Sequence, residues 1–183
     1  AKAKADGGSR APKQYFSGHE EPVLQLDEFV SGALENLHAW AAKGIQAPPA
    51  DTRWLRYATS LDAKGKLLHA PVPDPLGNAQ GGLRSPLIEA PLYQYLGRGK
   101  SADGKFAGDW GSMVRLSDAA INALYGGNCN AYLTRFDAAA DALVTQRYLL
   151  ERDAQNLKRL GRALASQSTA LHPAVAWTSQ PCR

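Results

Sequence analysis

Residues Asp74 to Gly97, DPLGNAQGGLRSPLIEAPLYQYLG, decide how the rest of the chain is read. They hold no charged cluster suited to catalysis, so their information lies in how glycine and proline alternate with apolar residues. Gly77-Asn78 and Gly81-Gly82 permit positive φ, while Pro86 and Pro91 fix φ and bias the residues before them toward extended geometry. The stretch therefore predicts a turn followed by a short extended ribbon. Leu83, Leu87, Leu92 and Tyr95 are available for burial, and Arg84 is the long polar group able to hydrogen-bond across the ribbon. Taken alone, it is a structural connection between two helical regions.

The flanks have clearer periods. Upstream, Leu26, Phe29, Val30, Ala33, Leu34, Leu37, Trp40 and Ala41 recur at spacings of three and four, which predicts an amphipathic helix that Gly44 stops and Pro48-Pro49 keeps from resuming. Burying that face against a sheet would contribute on the order of 10 kcal/mol gross, before chain ordering is subtracted. Between this helix and the ribbon, the turn signal Asp62-Ala63-Lys64-Gly65 separates Trp54–Leu61 from Lys66–Val72 and predicts a hairpin. Downstream, Arg98 to Asp109 is rich in glycine and charge and is expected to be a surface loop. Three helices close the chain: Asp118 to Tyr125 capped by Ser117, a second starting at Asn128 or Asn130, and a third over Glu151 to Ala165. At the other end, residues 1–12 have almost nothing to bury and are expected to form a flexible arm, leaving 13–183 as one domain.

With 183 residues, 44% hydrophobic and 21% charged, the chain can build one core. Its net charge of +4 is spread without a basic stripe, which disfavours nucleic acid. Apolar runs are too short and interrupted to predict a membrane span, and AKAKADGGSR lacks the apolar centre of a signal peptide. The first residue is Ala rather than Met, as expected of a processed or truncated product. Cys129 and Cys182 fit no zinc or redox spacing, and no metal or cofactor is expected. They are either two buried or free thiols or a disulfide pinning the tail WTSQPCR to the start of a helix. The bridge would imply an oxidising compartment, hence a secreted or periplasmic protein.

Three segments together resemble a known family. The run G-N-x-x-G-G-[IL]-R with its following prolines and Tyr-x-Gly, here Gly77 to Gly97, resembles the C-terminal part of a large bacterial family of α/β-hydrolase-domain proteins. Leu34 to Pro49, LENLHAWAAKGIQAPP, is similar to that family's helix ending in L-x-x-W-x-x-x-G-x-x-P-P, and Leu124 to Leu157 to its closing helical pair. The resemblance covers most of Leu26 to Ala165. It implies an α/β fold, the C-terminal portion of an α/β-hydrolase, helix-rich with a few short strands, and hydrolysis of an ester or related acyl bond in a small-molecule substrate.

The chain lacks the nucleophile such chemistry needs. A serine elbow, usually G-x-S-x-G, sits on a tight strand-to-helix turn ahead of the acid and histidine. Gly7-Gly8-Ser9-Arg10-Ala11 follows no apolar strand, and Gly111-Ser112 lacks the second glycine. His19 has a better context: the β-prone Gln14-Tyr15-Phe16 precedes it and the long helix follows, the order in which the resemblance places a triad histidine on a loop after the last strand. As general base it would take the serine proton and return it to the leaving group; the plainer reading is a solvated histidine beside Glu20 and Glu21. Those two glutamates complete no H-E-x-x-H site, since no second histidine follows. His38, His69 and His172 read as spacer, loop and tail, and Trp40, Trp54, Trp110 and Trp177 as core anchors or pocket lining. The serine and acid are thus expected from an upstream segment or companion chain. The alternative is a non-catalytic helical module that binds a partner through its apolar faces.

Overall fold

The computed structural model describes residues 19–20, 26–49, 55–96, 99–100, 106–108 and 112–171. The expected N-terminal arm, the β-prone run before Gly18, Ser9, His172, Cys182 and three of the four tryptophans lie outside them. Three helices carry the core: α3 (Asp118–Tyr125), α4 (Cys129–Thr145) and α5 (Glu151–Gln167). Each start has a local cause. Ser117 Oγ accepts from the Ala120 amide, and Asn128 Oδ1 accepts from the amides of Asn130 and Ala131, so side chains satisfy the otherwise orphaned donors of α3 and α4.

Tyr132 and Phe136 of α4 are fully buried, and Tyr125 meets Tyr132 edge-on with ring centroids 5.3 Å apart. α5 closes on them at Gly161, where an added Cβ would sit 2.8 Å from Phe136 Cδ1. A short 3-10 turn, Thr169–Leu171, adds Ala170 and Leu171 to the same core.

The Asp74 to Leu96 region docks on these helices, and it differs from the extended ribbon expected. Pro86 sits at the first position of a short helix, α2 (Pro86–Glu89), after an extended Ser85; only then does the chain extend, as β4 (Tyr93–Leu96). Proline pre-sets φ for a first helical turn as readily as for a strand, and the following Leu-Ile-Glu favour the helix. Leu87 and Leu92 are buried as expected, whereas Leu83 is 37% exposed. Gly81 and Gly82 do take positive φ, 77° and 68°. Replacing either by Val should cost about 1 to 3 kcal/mol, and two unchanged melting curves would refute the role assigned to this turn.

Three strands form an antiparallel sheet in the order β1-β7-β4, with β1 (His19–Glu20) on one edge and β7 (Ser112–Arg115) in the centre. A hairpin of β2 (Tyr57–Leu61) and β3 (Leu67–Pro71) projects from the body, every residue of both strands exposed. His69 lies within β3 rather than in a loop, 3.4 Å by Nδ1 from Thr59 Oγ1. The region expected to be a plain surface loop contains a second small hairpin, β5 (Gly99–Lys100) with β6 (Phe106–Gly108). Gly99 pairs with Gly108 at one end of it and Lys100 with Phe106 at the other, a short pairing that a composition count records only as loop.

The long helix α1 spans Leu26–Lys43, as its period predicts, but is turned the other way. Val30, Leu34, Leu37 and Trp40 are 50%, 60%, 57% and 56% exposed, so most of the expected face is not buried and the expected Trp40 anchor does not occur, although Phe29 packs half-buried against the core. The inward face is Glu28, Gly32 and Asn36, spaced by four. It seats on the turn between α4 and α5. Asn36 Nδ2 donates to the Arg147 carbonyl at 2.6 Å, and an added Cβ on Gly32 would lie 2.5 Å from the Tyr148 carbonyl oxygen. Beyond the helix, Arg147 donates to the Gln46 carbonyl and the Tyr148 hydroxyl to that of Pro49, each at 2.5 Å. At the N-terminal end Glu28 is buried near Asp153, in the first turn of α5.

Candidate functional site

His19 lies in a strand, not on the loop the sequence suggests. Its backbone pairs with Val114 of β7, which pairs in turn with Gln94 of β4. His19, Val114 and Gln94 therefore form one row across the sheet, and with strands about 4.8 Å apart the backbones of His19 and Gln94 are about 10 Å from each other. Among the described residues β1 pairs only with β7.

Behind β4 the glycine-rich turn is tied to the sheet. Asn78, fully buried, accepts from the Tyr95 amide at 2.7 Å through Oδ1 and donates to the Tyr93 carbonyl at 3.3 Å through Nδ2. Gln94 Nε2 donates to the Gly77 carbonyl, and a side chain on Gly77 would collide with that amide. Asp74 Oδ1 accepts from the amides of Leu76 and Asn78, which closes the turn.

Arg84 is the hub expected of it. Nε donates to Glu89 Oε1 at 2.6 Å, Nη1 to the Ala79 carbonyl at 2.6 Å, and Nη2 to Asp74 Oδ2 at 3.0 Å. Two carboxylates and a carbonyl hold one guanidinium in place, a geometry that arginine's fork suits and lysine's ammonium does not. The turn residues Asp74, Asn78 and Arg84 thus fix β4, and through β7 they fix the strand that carries His19. Sequence reading singled out Arg84 and took Asn78 only as a turn punctuator, and it missed Asp74 and Glu89, although Asp-x-x-Gly-Asn is a recognisable side-chain-closed turn.

Ser112 opens the central strand β7 rather than sitting on a strand-to-helix turn, so it is no elbow. His38 is exposed on α1. Burial pushes the Tyr125 hydroxyl up to about 12, with Arg135 opposing, and burial pushes Tyr132 further still; both stay protonated core phenols. Among the described residues no group of three or more His, Cys, Asp or Glu could hold a metal ion, and no helix is long and apolar enough to cross a membrane.

A family model described as an alpha/beta hydrolase domain matches residues 4–159. No curated protein and no solved structure matches the chain.

Proposed function

Because this chain belongs to the α/β-hydrolase-domain family, we propose that it is the C-terminal segment of a serine hydrolase acting on an ester or related acyl bond. In this reading His19 is the general base: one ring nitrogen takes the proton of a serine hydroxyl as it attacks the acyl carbon, then returns it to the leaving group. The serine and the acid that orients the imidazole come from an upstream segment or a companion chain. The observation that carries the proposal is α1. A helix that follows the candidate histidine strand turns four large apolar side chains outward while its glycine and polar face is seated, which suits a segment built to be covered. That exposed stripe also favours the second reading, a non-catalytic module binding a partner through α1.

A fluorophosphonate probe separates the two. The isolated 183-residue chain should remain unlabelled, and labelling should appear when the nucleophile-bearing segment is supplied, on a serine of that segment. Stoichiometric labelling of Ser9 or Ser112 in the isolated chain would overturn the proposal, and absence of labelling in the assembled protein would leave the binding module.

Cys129 opens α4 and packs half-buried against the core. We propose that it is bonded to Cys182, securing the tail, and that the protein works in an oxidising, secreted or periplasmic setting. Non-reducing peptide maps should show one Cys129–Cys182 peptide; two alkylated thiols in freshly prepared protein would refute it.

A further inference from the structure

The hairpin of β2 and β3 is secured at both ends and covered on neither face. At its tip Asp62 Oδ1 accepts from the Lys64 and Lys66 amides, and Gly65 takes a φ of 77°. At its base the Arg56 amide donates to the Gln80 carbonyl and the Val72 amide to that of Arg56. Between tip and base every strand residue is exposed. A two-stranded ribbon with both faces in water is marginal by itself and gains stability when a face is packed.

The register sorts the side chains into two unlike faces. Tyr57 pairs with Pro71, Thr59 with His69 and Leu61 with Leu67, which places these six on one face; Ala58, Ser60, Leu68 and Ala70 fall on the other. The contact of Thr59 Oγ1 with His69 Nδ1 across the strands agrees with that sorting. On the six-residue face Tyr57, Leu61 and Leu67 are 54%, 66% and 52% exposed. The same face holds no acidic residue, lysine or arginine. From base to tip it reads apolar pair, polar pair, apolar pair, a pattern that is unchanged when the hairpin is turned end for end.

We propose that two copies of the chain pair through this face, their hairpins stacked base to tip. A two-fold axis through the Thr59 and His69 row lays Tyr57 over Leu61 of the second copy and Pro71 over its Leu67, and it brings the polar row against its own copy. Self-pairing suits the face for two reasons. Apolar ends meet apolar ends while hydroxyl and imidazole meet groups that can hydrogen-bond with them, and no acidic or basic side chain of the face opposes its like. Covering the six side chains removes on the order of 500 Å² per copy and 1,000 Å² for the pair, the lower bound of a specific interface, so the dimer is expected in the micromolar range. The surface is separate from α1 and from His19, and its fate is independent of the hydrolase proposal.

Sedimentation velocity on the 183-residue chain, from about 1 to 200 µM, tests it, and the mass should rise from monomer to dimer within that range. Leu61→Glu and Leu67→Glu, at exposed positions outside the core, should each raise the dimer dissociation constant by about tenfold or more with unchanged melting midpoints. Leu68→Glu on the opposite face and Leu34→Glu on α1 should leave it within about twofold. Thr59→Cys, on the two-fold row, should cross-link to itself under mild oxidation, whereas Ser60→Cys should not. A monomer at every concentration, a dimer untouched by Leu61→Glu, a dimer broken by Leu68→Glu or Leu34→Glu, or equal cross-linking at both cysteine positions would each overturn the proposal.

Discussion

In protein that contains the nucleophile-bearing segment, His19→Ala should lower turnover of an activated ester by about a thousandfold or more while leaving the fold intact. The size follows from the role we propose for it. Without a base the serine must lose its proton to water, and the loss falls on the chemical step rather than on substrate binding. The position supports it: His19 sits on an edge strand whose register is fixed by β7 and, through β4, by the Asn78 and Arg84 hydrogen bonds. His38→Ala and His69→Ala are the controls, one exposed on α1 and one within the projecting hairpin. Turnover measured for all three should separate His19 from the others; equal small effects would leave it an ordinary strand residue.

Gly32→Ala should destabilise the chain by about 2 to 3 kcal/mol in urea unfolding, against the usual rule for helices. In an unconstrained helix interior the same change stabilises by about 1 kcal/mol, since alanine loses less backbone entropy. Here the new methyl would lie 2.5 Å from the Tyr148 carbonyl oxygen and 3.0 Å from its carbon. Backbone at the α4–α5 turn cannot swing aside as a flexible side chain would, so α1 must lift, and the hydrogen bond from Asn36 to the Arg147 carbonyl goes with it. The sign of the change is therefore diagnostic. A stabilised variant would show that α1 does not sit on its glycine face.

That sign also shows where sequence reading ran out. The 3.6-residue period from Leu26 to Ala41 located α1 correctly, because periodicity records that an apolar face exists. It does not record what covers that face, and apart from Phe29 the Glu28, Gly32, Asn36 stripe that makes contact is polar or side-chainless, hence silent in a hydrophobic pattern. Caps were legible for a different reason. Ser117 and Asn128 act through hydrogen bonds to amides two or three residues on, so the cause lies within the sequence window. The glycine-rich turn was half legible: positive φ at Gly81 and Gly82 follows from residue type, whereas α2 depends on how Leu87 packs against the closing helices.

Glu28 links the seat of α1 to the acidity of its surroundings. Burial, then repulsion from Asp153 and Asp27, holds its carboxyl above the usual value of 4.5, with a backbone hydrogen bond pulling the other way. In the unfolded chain the same group ionises at the ordinary value, so docking takes up a proton across the interval between the two. Below that interval Glu28 is neutral in both states and its contribution is fully present; as pH rises through the folded value, the buried charge subtracts from stability. The helix that follows His19 is therefore gripped more firmly in mild acid than at neutrality.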